Sequence, residues 1–263
     1  MTSHPTRWTE VLRPAPRPDC RLVVFPHAGS CASRYRELVS DLPEEVETIG
    51  VSLPGRDRRA GERPHTTLAA AVAAISTELH AFPPRSTVFY GHSLGALLAL
   101  ATAHVSPCNG VVASCSMPGT RGHPDPARVS SPEGVAEIFA LHKLPGDALE
   151  APGLSPPQRA LAHDLALTAE SLRAVDHLRL AVPLTALAGT DDPLIDPGVL
   201  PLWAAFTSGR FRGRRVDGGH FFPFAPFGRS VVVDELRALI ATARSGSGAP
   251  PLPDRLPIGP VRS

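Results

Sequence analysis

The chain has 263 residues, 43% of them hydrophobic and 19% charged, a balance suited to one large α/β domain or two small ones, with enough core to need no covalent staples. Twenty-six Lys and Arg against 25 Asp and Glu leave a formal charge of +1, so no global field recruits nucleic acid or a membrane surface. The first residues carry no apolar export segment, no run reaches the length of a membrane span, and Cys20, Cys31, Cys108 and Cys115 form no CxxC pair; a cytoplasmic protein with free, mostly buried thiols is expected.

In chain order, residues 1–20 are polar and broken by proline, and read as an irregular entry segment. The apolar, β-branched run at 21–25, stopped by Pro26, predicts a buried strand. The loop His27-Ala28-Gly29-Ser30 follows, then a helical stretch over 33–39 and a second strand over 48–52, ended by Leu53-Pro54-Gly55. Apolar spacing predicts a helix over 67–82, a strand over 87–90, an apolar helix over 96–103 that must be buried on most sides, and a strand over 110–114. From 118 to about 176 the strand–helix alternation stops, and Pro- and Gly-rich punctuation separates two helical patterns, 132–142 and 157–176. Strands resume at 183–188 and 210–216, and a helix over 230–244 carries Val232, Leu236, Leu239 and Ile240 on one face. This rhythm predicts an α/β class: a mostly parallel sheet flanked by helices, with 118–176 as a helical insertion over one edge. One domain is expected over 1–245, and the Gly/Pro/Ser-rich tail 246–263, with little to bury, is expected to be disordered.

The chemistry centres on Gly91-His92-Ser93-Leu94-Gly95. The Gly-x-Ser-x-Gly pattern is a weak signal alone, but here a strand enters it and an apolar helix leaves it, as a nucleophile elbow requires. Small residues at 91 and 95 let the backbone turn sharply, presenting the Ser93 hydroxyl at the top of the sheet and aiming the Leu94 N–H at the reacting carbonyl. Such a serine needs a base and an orienting acid, which come after it in the order acid, then histidine. Gly189-Thr190-Asp191-Asp192 ends one strand, and Asp217-Gly218-Gly219-His220-Phe221-Phe222 comes after the last. Each lies where a strand's C-terminal end feeds a loop, the face on which α/β sheets build their sites. His220 is the candidate base. Asp192 is preferred as the acid, with Asp191 as the alternative that hydrogen-bonds within its own turn or caps the next helix. The second oxyanion donor is expected from the loop after strand 21–25, at the Ala28 N–H. His27 is expected to shape that loop through a ring-to-backbone hydrogen bond, and His92 to be structural. The remaining histidines lack metal-ligand spacing, so no metal is expected.

Taken together, Phe25-Pro26-His27-Ala28-Gly29, Leu53-Pro54-Gly55-Arg56, Gly91-His92-Ser93-Leu94-Gly95 and Gly218-Gly219-His220-Phe221 make the chain resemble the type II thioesterases. These are discrete editing enzymes that accompany modular polyketide synthases and nonribosomal peptide synthetases. The likeness spans about residues 20–240 and implies an α/β-hydrolase fold with a helical lid. It implies hydrolysis of acyl groups, often misprimed or decarboxylated ones, from the phosphopantetheine arm of an acyl-carrier or peptidyl-carrier protein, with no cofactor of its own and a monomeric state. Carried over by position, Ser93, Asp192 and His220 match the triad, and Ala28 and Leu94 the oxyanion positions. The chain departs from the family at Gly29-Ser30-Cys31, where a second glycine is usual, at Leu94, where methionine is common, and late in the lid, at Ala169-Glu170. Lid residues Leu141, Leu144, Leu161, Leu165, Leu167 and Leu172 are expected to line the acyl chamber or pack the lid onto the core. Carrier proteins are usually acidic, which makes Arg56, Arg58, Arg59, Arg121 and Arg128 docking candidates. An acyl-CoA or fatty-acid thioesterase, or a carboxylesterase, would share the same triad chemistry. A non-catalytic binding protein of the same fold is disfavoured by the presence of all three triad residue types in suitable contexts.

Overall fold

The computed structural model describes residues 8–122, 125 and 131–245; the tail expected to be disordered lies outside them. Seven strands form one sheet: β1 (Thr9–Arg13), β2 (Cys20–Phe25), β3 (Val46–Val51), β4 (Ser86–His92), β5 (Gly110–Ser114), β6 (Leu184–Gly189) and β7 (Phe211–Val216). Their order across the sheet is β1-β3-β2-β4-β5-β6-β7, and every pairing is parallel except that of β1 with β3. The central strands are buried on both faces, as crossover-connected parallel strands must be, which is why they read as continuous apolar runs. β7 closes the far edge with exposed arginines, a charged edge that discourages further pairing.

Period-two alternation divides the core into two layers. Val23 and Phe25 of β2 face one layer, with helices α2 (Leu68–Ala81) and α3 (Leu94–Val105). Leu22 and Val24 face the other, with α1 (Arg36–Ser40) and α6 (Pro226–Ser245). Every residue of α3 from Leu94 to Ala103 is buried, as its unbroken apolar composition required. The insertion carries α4 (Pro132–Leu141) and α5 (Pro156–Ala174). Ser155 and Gln158 cap α5 reciprocally, and both helices start with proline at a position where the missing N–H costs nothing. The two ends of the insertion are tied together: Asp176 accepts from the Thr120 N–H at 2.8 Å and from the Thr120 hydroxyl. Phe139, Leu144, Ala148, Ala162 and Leu165 give the lid a small core of its own.

One sequence expectation is corrected, and one element goes beyond the sequence reading. Residues 1–20 are not irregular throughout, because Thr9–Arg13 forms an antiparallel edge strand on β3. Its start is anchored by Glu78 of α2, whose carboxylate accepts from the N–H groups of Trp8 and Thr9 at 2.7 and 2.9 Å. The stretch Pro197–Phe206, which had no assigned element, is 3₁₀-helical: Pro197 and Pro201 prevent a regular α-helix, yet the turns still carry Trp203 and Phe206 into the core. Among the described residues no helix is long and apolar enough to cross a membrane.

The tightest constraint in this frame is the start of α3, where a Cβ on Gly95 would lie 1.9 Å from the carbonyl oxygen of Phe25. Gly95→Ala is therefore expected to destabilise the fold by about 3 kcal/mol or more, because backbone and not a flexible side chain blocks the methyl group. Urea denaturation of the variant against the parent measures this.

Candidate active site

β4 passes into α3 through a single residue, Ser93. Its backbone sits at φ 55° and ψ −121°, a conformation disfavoured for a residue with a Cβ and tolerated only where the surroundings enforce it. The enforcement is visible. The helix starts so close to the sheet that a Cβ on Gly91 would lie 2.2 Å from the Gly95 carbonyl oxygen, and the Ser93 N–H is held by the Ser114 carbonyl of β5 at 2.9 Å. Ser93 thereby projects from the C-terminal edge of the sheet into a cavity of about 280 Å³ that it shares with His27, Ala28 and His220.

His220 and Asp192 come from the loops after β7 and β6. Asp192 Oδ2 and His220 Nδ1 are 2.8 Å apart, with the two side chains 0% and 7% exposed. Burial pushes the Asp192 carboxyl upward, but hydrogen bonding and charge interaction with His220, together with the N–H groups of Leu194 and Ile195, outweigh it and leave the group below its ordinary value. Those two N–H groups reach Oδ1 at 2.8 and 3.2 Å, so both oxygens of Asp192 are engaged. Asp191 is exposed; its carboxylate accepts from the Thr190 hydroxyl at 3.2 Å and its N–H donates to the Gly218 carbonyl at 3.0 Å. Of the two adjacent aspartates, the fold brings Asp192 to His220.

The Ala28 and Leu94 N–H groups find no acceptor among the described residues. Leu94 opens α3, where the first N–H groups have no intrahelical partner. Ala28 stands between two occupied donors: the His27 N–H goes to the Tyr35 hydroxyl at 3.2 Å and the Gly29 N–H to Asp164 at 2.7 Å.

The expected ring-to-backbone bond of His27 is corrected. Its Nδ1 shares a 2.7 Å hydrogen bond with the Tyr35 hydroxyl, because the adjoining 3₁₀ turn (Ala32–Tyr35) folds that phenol beneath the loop. His92 Nδ1 pairs with Ser114 Oγ at 2.9 Å. The His92 ring packs between His27 and His220, at 5.2 Å from each. Burial, with Arg34 and His220 nearby, pushes His27 down to about 3, and burial with the other two histidines pushes His92 well down. Both therefore stay neutral beside His220.

Sequence reading missed Cys115 as part of this neighbourhood. It comes directly after β5 at φ 49°, and its Sγ, an Asp192 oxygen and a His220 nitrogen lie within 4.8 Å of one another. A metal would suit three such donors poorly: the carboxylate and imidazole already hold a proton between them, and burial keeps the Cys115 thiol protonated. Of the lid leucines, Leu141, Leu165 and Leu172 line the cavity, whereas Leu144 and Leu161 pack within the lid and Leu167 enters the main core. The docking expectation for the arginines is corrected at two positions. Arg56, half-buried, pairs with Asp164, and Arg59, buried and held by Glu62, stacks 4.0 Å from the Trp8 ring. Arg58 is exposed; the side chains of Arg121 and Arg128 lie outside the described structure.

The model of the thioesterase domain family matches residues 20–239. A probable cadicidin biosynthesis thioesterase of Streptomyces griseus is 32% identical over 225 residues, covering 82% of this chain and 62% of that protein, so the chain spans less than two thirds of that relative's length. The thioesterase PikA5 of Streptomyces venezuelae is 31% identical over 232 residues, covering 82% of this chain and 79% of that one. The structure of BorB, a type II thioesterase from the borrelidin biosynthetic cluster, superposes with a TM-score of 0.71 at 24% identity, covering 91% of this chain and 98% of that one. At that identity the likeness shows the α/β-hydrolase fold.

The neutral histidines carry a consequence for stability. Below about pH 6.5 an unfolded chain protonates both rings while the folded chain does not, so the unfolded state binds more protons and stability falls with pH. For His27 the window runs from its ordinary 6.5 down to about 3. Its share is at most about 1.4 kcal/mol per pH unit. Urea denaturation at pH 7, 6 and 5 is expected to show declining stability, with a shallower decline in His27→Gln.

Proposed function

The chain belongs to the thioesterase family, and from that premise we propose that it is a serine thioesterase of the type II kind. Its substrates are acyl groups, aberrant ones among them, carried on the phosphopantetheine arm of acyl- or peptidyl-carrier proteins in polyketide or nonribosomal peptide biosynthesis. The observation that supports this most is the His220–Asp192 pair at 2.8 Å, opening with Ser93 onto one lidded, largely apolar cavity.

In the proposed reaction the Ser93 Oγ attacks the thioester carbonyl carbon while His220 Nε2 takes the hydroxyl proton. Asp192 keeps the Nδ1–H tautomer in place and stabilises the imidazolium that forms. The oxygen of the tetrahedral intermediate turns toward the N–H groups of Ala28 and Leu94, where loss of a single donor costs about a hundredfold or more in rate. Collapse breaks the C–S bond, and the imidazolium proton goes to the departing thiolate. The acyl group now sits as an ester on Ser93. Water, deprotonated by the same His220, attacks that ester, the C–O bond to Ser93 breaks as the imidazolium returns the proton to Ser93 Oγ, and the products are a carboxylic acid and the free thiol of the carrier arm. A thiol leaves more easily than an alcohol, so the second half-reaction limits turnover.

The neutrality of His27 and His92 serves this scheme. Being neutral, these two rings do not oppose the transient imidazolium at His220. Ile138, Leu165 and Leu172 of the lid supply the apolar wall against which an acyl chain lies. The exposed Leu141 at its rim continues that wall toward solvent.

Turnover of an acyl-loaded carrier protein, monitored by mass spectrometry of the carrier, tests the assignment. Ser93→Ala is expected to lose about 10⁴-fold or more and to abolish labelling by a fluorophosphonate, with a loss of about 10⁴-fold for Asp192→Asn. Asp191→Asn is expected to stay within about twofold of the parent. Near-normal turnover by Ser93→Ala would overturn the whole reading. One acyl group offered on carrier protein, on coenzyme A and as an oxygen ester should give its highest kcat/KM on the carrier protein.

A further inference from the structure

We propose that Asp164, on lid helix α5, is a positioning residue for the oxyanion loop, with Arg56 as its partner. The inference rests on the serine-hydrolase reading above and deepens it, because it makes part of the lid a support of the reaction centre as well as a cover.

The Ala28 N–H and the His27 carbonyl belong to one rigid peptide plane, and the Gly29 N–H belongs to the next. The first includes the His27 carbonyl, which accepts from the Ser30 N–H at 3.0 Å. The second ends in the Gly29 N–H, whose acceptor is Asp164 Oδ2 at 2.7 Å, 135 residues further along the chain. The Ser30 bond can hold the first plane only while the 27–30 turn keeps its shape, and the Asp164 bond on the second plane holds that shape, so the two bonds together set the direction of the Ala28 N–H. Without Asp164 the second plane loses its partner, and Gly29, at φ 71°, is the residue in the loop best able to swing. The helix lies directly on that backbone: a Cβ on Gly29 would meet the Leu161 side chain of α5 at 3.1 Å.

The carboxylate is buried together with its counter-charge. Its side chain is 2% exposed, and the Arg56 guanidinium, 9% exposed, grips both of its oxygens, with Nη2 to Oδ1 at 2.8 Å and Nη1 on Oδ2. Arg56 is itself oriented by the Ser30 and Pro54 carbonyls at 3.2–3.3 Å. An ionised acceptor binds an N–H about twice as strongly as a neutral one. The same arginine that neutralises Asp164 thus also touches the far side of the oxyanion loop, at Ser30. Lid, Leu53-Pro54-Gly55-Arg56 segment and oxyanion loop form one hydrogen-bonded unit, and displacement of α5 would release the loop.

The test compares Asp164→Ala, Asp164→Asn and the double variant Arg56→Met/Asp164→Leu with the parent on butyryl-loaded acyl-carrier protein, with melting curves for each. Removing both charges of a buried pair is often neutral for stability, so the double variant keeps the test open if Asp164→Ala fails to fold. In the folded variants lacking an oxygen at position 164, kcat is expected to fall at least about tenfold, with KM within about threefold of the parent. Asp164→Asn, which keeps an oxygen acceptor for Gly29, should recover most of kcat. A folded double variant with kcat within threefold of the parent, or a loss carried by KM alone, would overturn the proposal. Ser93→Ala run alongside separates the two levels: if it is silent while the double variant is near-normal, only the role of Asp164 fails, and if it turns over normally, the functional reading fails with it.

Discussion

Contact between the start of α3 and the carbonyl ends of its neighbouring strands is the constraint on which this molecule depends. Gly91 and Gly95 allow backbone to lie against backbone where a methyl group would overlap the Gly95 and Phe25 carbonyl oxygens. That contact leaves no room for a gradual strand-to-helix passage, so the whole reversal falls on Ser93, held at a positive φ with its N–H on β5. The strain is local, and the buried α3 behind it supplies the packing that keeps it in place. The candidate nucleophile, the free Leu94 N–H and the position of the cavity all result from this one close approach.

Around that point the electrostatics are arranged by burial more than by charge. The ring of His92 packs between His27 and His220, and burial is the leading reason that the two histidines beside the proposed base stay neutral. The one carboxylate in contact with His220 is kept ionised by hydrogen bonding and charge interaction that overcome its own burial. Cys115, tucked beside them, is a neutral thiol for the same reason that the histidines are neutral. Among these groups the proposed base has one charged partner, Asp192, and three neutral neighbours, His27, His92 and Cys115.

The lid joins this centre by polar contacts as well as apolar ones. Its leucines divide between the cavity wall, a small core of its own and the main core. Its ends are drawn together by Asp176 on Thr120, and its longer helix reaches the oxyanion loop through Asp164. A covering element anchored in this way is poised to influence reaction geometry as well as access, which gives the proposed editing function a physical route by which lid position affects rate.

Much of this was legible in the amino-acid sequence because it is written in local patterns. Apolar runs of strand length, the glycines flanking Ser93, the apolar helix behind it and the order serine, aspartate, histidine each depend on residues close together in the chain. They point to an α/β sheet with an interrupted rhythm and to a site on its C-terminal edge, and the fold has that form. What the tertiary structure alone decided are matters of partnership. Asp191 and Asp192 are the same residue type side by side, and only the turn after β6 determines which carboxylate meets a histidine 28 positions later. Thr9–Arg13 is a strand only because β3 offers it an edge. Arg56 looked like a surface cation because its burial depends on a carboxylate 108 residues away. A charge can leave water only where a distant counter-charge waits for it, and no local pattern encodes that meeting.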